Sequence, residues 1–354
     1  MEVVMTPNEE FTEMHSQNTR LFNLLILLLF MFAFASTGFA AENRLKVSGD
    51  VLKNQNLSLT DIRQLPSFYI KDVTCIAEKT DCSAKEEKRL SVDTFRGVLL
   101  RDILDLAGMK HRVKWEPGVY FLVHGTDGRT AVFSFGEIYY SSIGRSVLLA
   151  YEKNGEPIES QNGCAQLIVS TDIRSGRWVP EISEIAVKRV DVELEAYEDK
   201  KQKRVRPPVE SLIIVDQDIG RSMEIDLGKI SVLPPVSISE AVMTGDCEGF
   251  HGVYSFDGPS LRSVLGLFAS PGCPPPYDRF VLLSSSDGFC ATFSYGEIFN
   301  SRLGENIILA IKKDGRMLEE KDGFTRSVVR EDSTGGRSVK RISKIEIITS
   351  TKTK

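Results

Sequence analysis

The sequence predicts an α+β fold, mixed β-sheets with short helices, present in two tandem copies. Three observations predict it. First, the stretch from Asp127 to Val187 recurs 160 residues later without a gap, through Phe133/Phe293, Ser134/Ser294, Gly136/Gly296, Glu137/Glu297, Gly155/Gly315, Asp172/Asp332, Gly176/Gly336 and Arg177/Arg337. Matching glycines imply matching backbone turns, because glycine goes where positive φ or close approach is required. Second, both copies carry short stretches that alternate between apolar and polar residues, the period of half-buried strands. Third, each copy has one compact amphipathic segment of helical period, Gly97–Gly108 in the first and Gly258–Leu267 in the second. A period this long denotes tandem domains, since solenoid repeats run at roughly 20–50 residues.

A chain of 354 residues with 42% hydrophobic residues can bury a core in each of about two domains. Its formal net charge of −5 gives no general attraction to nucleic acid or to an anionic membrane. The N-terminus reads as an address. Leu21 to Ala35 is an apolar run, and Gly38 and Ala40 fit the −3 and −1 positions of a signal-peptidase site, with Ala41 as first mature residue. The run is shorter than the ~20 residues of a bilayer span, so cleavage is favoured over a retained anchor. Met1–Glu13 is acidic and fits no signal n-region, which makes Met14 a candidate start. Residues 1–40 are therefore expected to be a signal peptide. The mature protein is expected to be exported to the periplasm, with no stable membrane span after cleavage.

The mature chain opens on Leu45–Gly49, an alternating strand, followed by Leu59–Pro66, a short helical turn stopped by proline. The second copy offers Leu212–Val215 and Leu227–Pro234 in the same order. Strands are expected at Phe68–Cys75 and Val236–Met243. The loop that follows is seven residues longer in the first copy. In the helix, Leu99, Leu100, Ile103, Leu104 and Ala107 share a face, and Gly108 sits at the C-terminal cap. Val119–Val123 and Thr130–Phe135 flank Asp127-Gly128, a hairpin signal. Ser134-Phe135-Gly136-Glu137 and Ser294-Tyr295-Gly296-Glu297 have capping-box spacing, so both glutamates read as helix caps and not as catalytic acids. Val147–Glu152, an Asn154-Gly155 turn, Gln166–Ser170 and Ile182–Val187 complete the copy. Tyr197 to Pro208 is charged, ends in proline and has the composition of a linker. The expected organisation is a first domain over 41–196, a linker over 197–208 and a second domain over 209–350.

In order and motif, each copy resembles the molybdopterin-binding domain of the sulfite oxidase family. The residues that carry the resemblance are Gly97-Val98-Leu99-Leu100-Arg101-Asp102-Ile103-Leu104-Asp105-Leu106-Ala107-Gly108 and Leu148-Leu149-Ala150-Tyr151-Glu152-Lys153-Asn154-Gly155-Glu156-Pro157. The resemblance implies a fold that holds molybdopterin, with a cysteine thiolate on molybdenum and basic residues on the pterin phosphate. Gly335-Gly336-Arg337-Ser338-Val339-Lys340 is similar to the family's phosphate pocket, which makes Gly336, Arg337, Ser338 and Lys340 the candidate cofactor-binding residues. Cations, a hydroxyl and glycine amides suit a phosphate. The first copy has Trp178 and Pro180 in that turn and lacks the serine and second lysine. Cys247 precedes the second helix at a plausible distance and is the candidate metal ligand. The family's His-Gly is replaced by Asn162-Gly163 and Asp322-Gly323.

The six cysteines, Cys75, Cys82, Cys164, Cys247, Cys273 and Cys290, have a second explanation, because thiols of exported chains usually pair. They allow 15 connectivities. For Cys247, a disulfide or inert thiol is favoured over a metal ligand. The four histidines form no zinc spacing, and Asp172 and Asp332 read as turn residues. The function expected is that of an exported ligand- or partner-binding module with a degenerate cofactor site and no cofactor, its partner a protein or small molecule of the cell envelope. The alternative is a molybdopterin-dependent oxidoreductase that uses the second domain.

Overall fold

A computed structural model describes residues 43–74, 76–78, 92–110, 118–159, 163–190, 208–245, 249–270, 272 and 275–350. Residues 1–40, expected as a signal peptide, residues 197–207 of the expected linker, and Cys75, Cys82, Cys247 and Cys273 lie outside the described residues. The first half runs β1 (Arg44–Gly49), β2 (Gln55–Ser58), α1 (Leu59–Arg63), β3 (Phe68–Val73), β4 (Asp93–Leu99), α2 (Leu100–Ala107), β5 (Val119–Gly125), β6 (Thr130–Ser134), α3 (Phe135–Tyr139), β7 (Val147–Lys153), β8 (Glu156–Pro157), β9 (Gln166–Val169) and β10 (Ile182–Arg189). The second half follows with β11 (Ser211–Asp216), β12 (Arg221–Asp226), α4 (Leu227–Ser231), β13 (Pro235–Gly245), β14 (Gly249–Pro259), α5 (Leu261–Phe268), β15 (Arg279–Ser285), β16 (Cys290–Ser294), α6 (Tyr295–Phe299), β17 (Ile307–Ala310), β18 (Lys312–Lys313), β19 (Arg316–Met317), β20 (Arg326–Val329) and β21 (Ile342–Thr349).

The main sheet of the first half has strand order β2-β1-β10-β5-β6, and that of the second half has β12-β11-β21-β15-β16. In both, the first strand pairs in parallel with the last and the remaining pairs are antiparallel. The sheets are mixed and the helices short, as an α+β fold requires. In a second layer, β3-β4-β7-β8 carries β9 on β7, while the corresponding strands of the second half divide into β13-β14-β18-β19 and β17-β20.

Side-chain alternation sets which face of each strand is buried. Leu45 and Val47 of β1 point into the core while Arg44 and Lys46 stay out. β5 behaves differently, because all five residues of Val119–Val123 are buried. Val119, Phe121 and Val123 join the core of the first half, and Tyr120 and Leu122 join a separate cluster with Phe280 and Leu282 of β15. The main sheets thus lie back to back at β5, β6, β15 and β16, which are covered on both faces, while the outer face of β1 stays exposed. A strand covered on both faces loses the polar alternate positions of a half-exposed one.

The amphipathic helix begins three residues later than expected, at Leu100, with Gly97 inside β4. A Cβ on Gly97 would stand 2.1 Å from the Leu149 carbonyl oxygen of β7, and one on Gly258 would stand 2.1 Å from that of Leu309. The shared glycine therefore serves strand-to-strand approach and not the helix start. Leu100, Ile103, Leu104 and Ala107 are buried, and Gly108 closes the helix at φ +63°.

Candidate functional site

The main sheets meet where β6 and β16 end in the helices α3 and α6. The Glu137 amide donates to Ser134 Oγ at 3.1 Å and the Ser134 amide to Glu137 Oε2 at 3.4 Å, with 3.0 and 2.8 Å for the same bonds between Ser294 and Glu297. Both capping boxes expected from the sequence are present. Each satisfies amides that the first helical turn leaves without partners.

The cap glutamates do more than cap. Short 3-10 turns, Ser175–Arg177 after β9 and Gly335–Arg337 after β20, deliver one arginine each to the joint. Arg177 grips Asp172 with two parallel bonds of 2.9 and 2.6 Å, and its Nη1 donates to Glu137 Oε1 at 2.5 Å. Arg337 grips Asp332 at 2.8 and 2.6 Å and reaches Glu297 Oε2 at 2.6 Å. The serines then cross between the halves. Ser134 Oγ donates to Glu297 Oε1 at 2.6 Å, and Ser294 Oγ donates to Glu137 Oε2 at 2.7 Å. Each guanidinium also sits on an aromatic ring, Arg177 on Phe133 at 4.9 Å and Arg337 on Phe293 at 4.7 Å. Glycine is required at Gly136 and Gly296, since a Cβ on either would stand 2.1–2.2 Å from Cδ of the arginine of the other half.

Contacts around this cluster come in reciprocal pairs. Ser141 bridges to Asp332 and Asp172 to Ser301, while the Ile173 amide donates to the Asn300 carbonyl and the Ser333 amide to the Tyr140 carbonyl, both at 2.8 Å. Tyr120 stacks on Phe280, its counterpart at the 160-residue offset, with ring centroids 4.4 Å apart. An interface in which residue i meets j while j meets i is isologous, the form two copies adopt about a two-fold axis.

Burial sets the electrostatics of the cluster. Four carboxylates (Glu137, Glu297, Asp172 and Asp332) face two guanidiniums; five of the six residues are buried, and the Asp332 side chain is 4% exposed. If all were ionised, negative charge would be in excess in a medium that solvates it poorly. Burial pushes Glu137 up to about 7, against the attraction of Arg177 and with repulsion from Glu297. Burial likewise raises Asp172 and Asp332. Burial alone would lower the arginines, but the carboxylates beside them hold both above the ordinary arginine value.

The residues expected to hold a pterin phosphate do not fit that task. Arg337 is 3% exposed and spends its guanidinium on Asp332, Glu297 and Ser134. Ser338 Oγ accepts from Arg326 Nη2 at 2.6 Å and donates to the Ser327 carbonyl at 3.0 Å. Gly336 lies against the Tyr140 ring, where a Cβ would come within 2.5 Å of Cε2. Lys340 alone faces solvent, 48% exposed, and it pairs with Asp322 at 3.1 Å. The run is contiguous in sequence, but its side chains diverge and Arg337 turns inward. Cys247, the candidate metal ligand, lies outside the described residues. Among the described residues, no three of His, Cys, Asp and Glu are grouped to hold a metal ion. Cys290 is a buried free thiol that burial pushes up to about 12, which leaves it unreactive. In the first half, Trp178 is a core residue, edge-on to Phe95 with its indole N–H on the Val169 carbonyl.

Sequence reasoning missed the joint although its parts were in view. Ser134, Gly136, Glu137, Asp172 and Arg177 all recur at the 160-residue offset. Each has a sufficient local explanation as a cap or turn residue, and that explanation hides the bond across the halves.

Residues 36–194 match the oxidoreductase molybdopterin binding domain. No curated protein matches the chain. Among solved structures, the sulfane dehydrogenase SoxCD of Paracoccus pantotrophus is similar at 14% identity and a TM-score of 0.32, over 85% of this chain and 78% of that one. A likeness this distant says nothing of activity. Among the described residues, no helix is long and apolar enough to cross a membrane.

Proposed function

We propose that this protein is an exported member of the molybdopterin-binding domain family, made of two tandem sulfite-oxidase-like copies, that serves as a ligand- or partner-binding module and not as a catalyst. One observation carries the reading: Arg337, the central residue of the phosphate-type motif, is buried against Asp332 and Glu297. Four of its five N–H donors go to Asp332, Glu297 and Ser134, and the buried guanidinium presents no face to a phosphate from solvent. The first copy places Arg177 in the same way, so in both copies the motif serves the joint. The repeated strand order and reciprocal contacts support the two-copy reading. Fold alone does not assign an activity, so the reading rests on the arginines.

Molybdenum and pterin analysis of protein purified from its native host tests it. The expected result is less than a tenth of an equivalent of either. Stoichiometric molybdenum, lost on replacing Cys247 by serine, would establish the oxidoreductase reading instead. N-terminal sequencing of the same material tests export, and a mature chain that begins at Ala41 is expected.

A further inference from the structure

We propose that the joint between the two halves is a proton-dependent lock, in which the buried carboxylate cluster takes up a proton as the halves close and loosens as that proton is lost. Geometry carries this inference. The cluster lies between the halves, and each serine that caps a helix in one half donates to the cap glutamate of the other, at 2.6 and 2.7 Å.

The groups that face Glu137 come from every element around it. Arg177 arrives from the turn after β9, Ser294 and Glu297 from the cap of α6, and Ser134 from its own cap. Asp172 lies behind Arg177, with the Asn300 amide at 3.0 Å, and Glu78 adds negative charge on that side, where it accepts from the Tyr277 hydroxyl at 2.7 Å. On the opposite side Asp332 grips Arg337, and Glu331 adds to the negative field. Among the described residues, the cations bonded to these four carboxylates are the two arginines, each already shared between an aspartate and a glutamate. Further negative charge is therefore uncompensated, and a proton is the counter-ion that fits a closed, hydrogen-bonded space.

The sign follows from linkage. In the closed joint Glu137 titrates at about 7, whereas a solvated glutamate stands at 4.5. A group raised in the closed state contributes its full stabilisation below the lower value and loses it as pH rises through the upper one. Closure should thus weaken by roughly tenfold per pH unit between those values, for each proton taken up. The apolar cluster of Tyr120, Leu122, Phe280 and Leu282 contributes the remainder of the joint.

The test uses the full chain, with a protease site placed within residues 197–207 and cut after folding. Separation of the halves is followed in rising urea by energy transfer between dyes on the two halves, at pH values from about 5 to about 8. The expected result is an apparent dissociation constant 10- to 100-fold larger at the upper pH, with net proton uptake on closure measured by calorimetry in two buffers near pH 6. Glu137→Gln with Glu297→Gln should flatten the dependence. A dissociation constant that changes less than threefold, zero or negative proton uptake in the unmutated chain, or an equal slope in the double variant overturns the proposal. The uptake measurement decides the matter even if the double variant fails to fold.

Discussion

At the scale of single residues, the joint rests on side chains that can bond in only one way. Arg177 and Arg337 each present a planar fork to an aspartate, a geometry that lysine cannot reproduce. The glycines opposite them matter as much. Gly296→Ala would drive a methyl into the Arg177 side chain, at 2.2 Å from Cδ, in a space where that side chain is pinned by Asp172 and Glu137. The expected cost is about 1–3 kcal/mol of folding stability, as for other overpacked sites, read from urea unfolding. The same substitution at Gly128, where a Cβ meets nothing within 4 Å, tests the turn alone, because its φ of +83° strains any L side chain. A loss from Gly296→Ala no larger than that of an exposed surface alanine would contradict the packing described here.

At the scale of elements, α3 and α6 are five-residue helices that could not persist alone, so their capping boxes and the joint stabilise each other. Ser58 caps α1 with a box of its own and, among the described residues, makes no bond across the halves, which supplies an internal control. Ser58→Ala should cost about 0.5–2 kcal/mol, an ordinary cap. Ser134→Ala should cost more, because Glu297 also loses a donor, and its effect should be non-additive with Glu297→Gln by about 0.5–3 kcal/mol in a double-mutant cycle. Strict additivity would mean that the bond across the halves is absent.

Much at this scale was legible in the sequence. Strand positions follow from alternation, α1 from its stopping proline, α2 from its apolar face, and the hairpin turns from Asp127-Gly128 and Asn154-Gly155. Less was legible where a residue serves two partners. Tyr120 and Leu122 face the second half, a burial that alternation within one copy cannot reveal. Gly97 read as a helix start because its actual reason, the Leu149 carbonyl, is remote in sequence. The Gly335–Lys340 run read as a phosphate pocket because composition cannot say which way an arginine turns, and Asp332 beside it was explained by turn chemistry alone.

At the scale of the whole molecule, the two cores are joined by a buried ionic cluster and an apolar one, and the described residues form one compact unit. Intact protein should therefore unfold in one calorimetric transition at about pH 6, and Arg177→Ala should separate the halves into two. Two transitions in the unmutated protein would mean that the joint does not couple its cores. The central claim is that the arginines of the two glycine turns build the molecule and do not hold a ligand. Unfolding free energies of Arg337→Ala and Lys340→Ala, measured side by side in urea, test it most directly. Arg337→Ala should lose about 3–5 kcal/mol, the cost of stranding buried carboxylates without their partner. Lys340→Ala should lose no more than about 1 kcal/mol, because its side chain is 48% exposed and its buried partner Asp322 keeps the Arg326 pair. Equal and small losses, with bound pterin disappearing from both variants, would contradict the account and return Arg337 to a cofactor pocket.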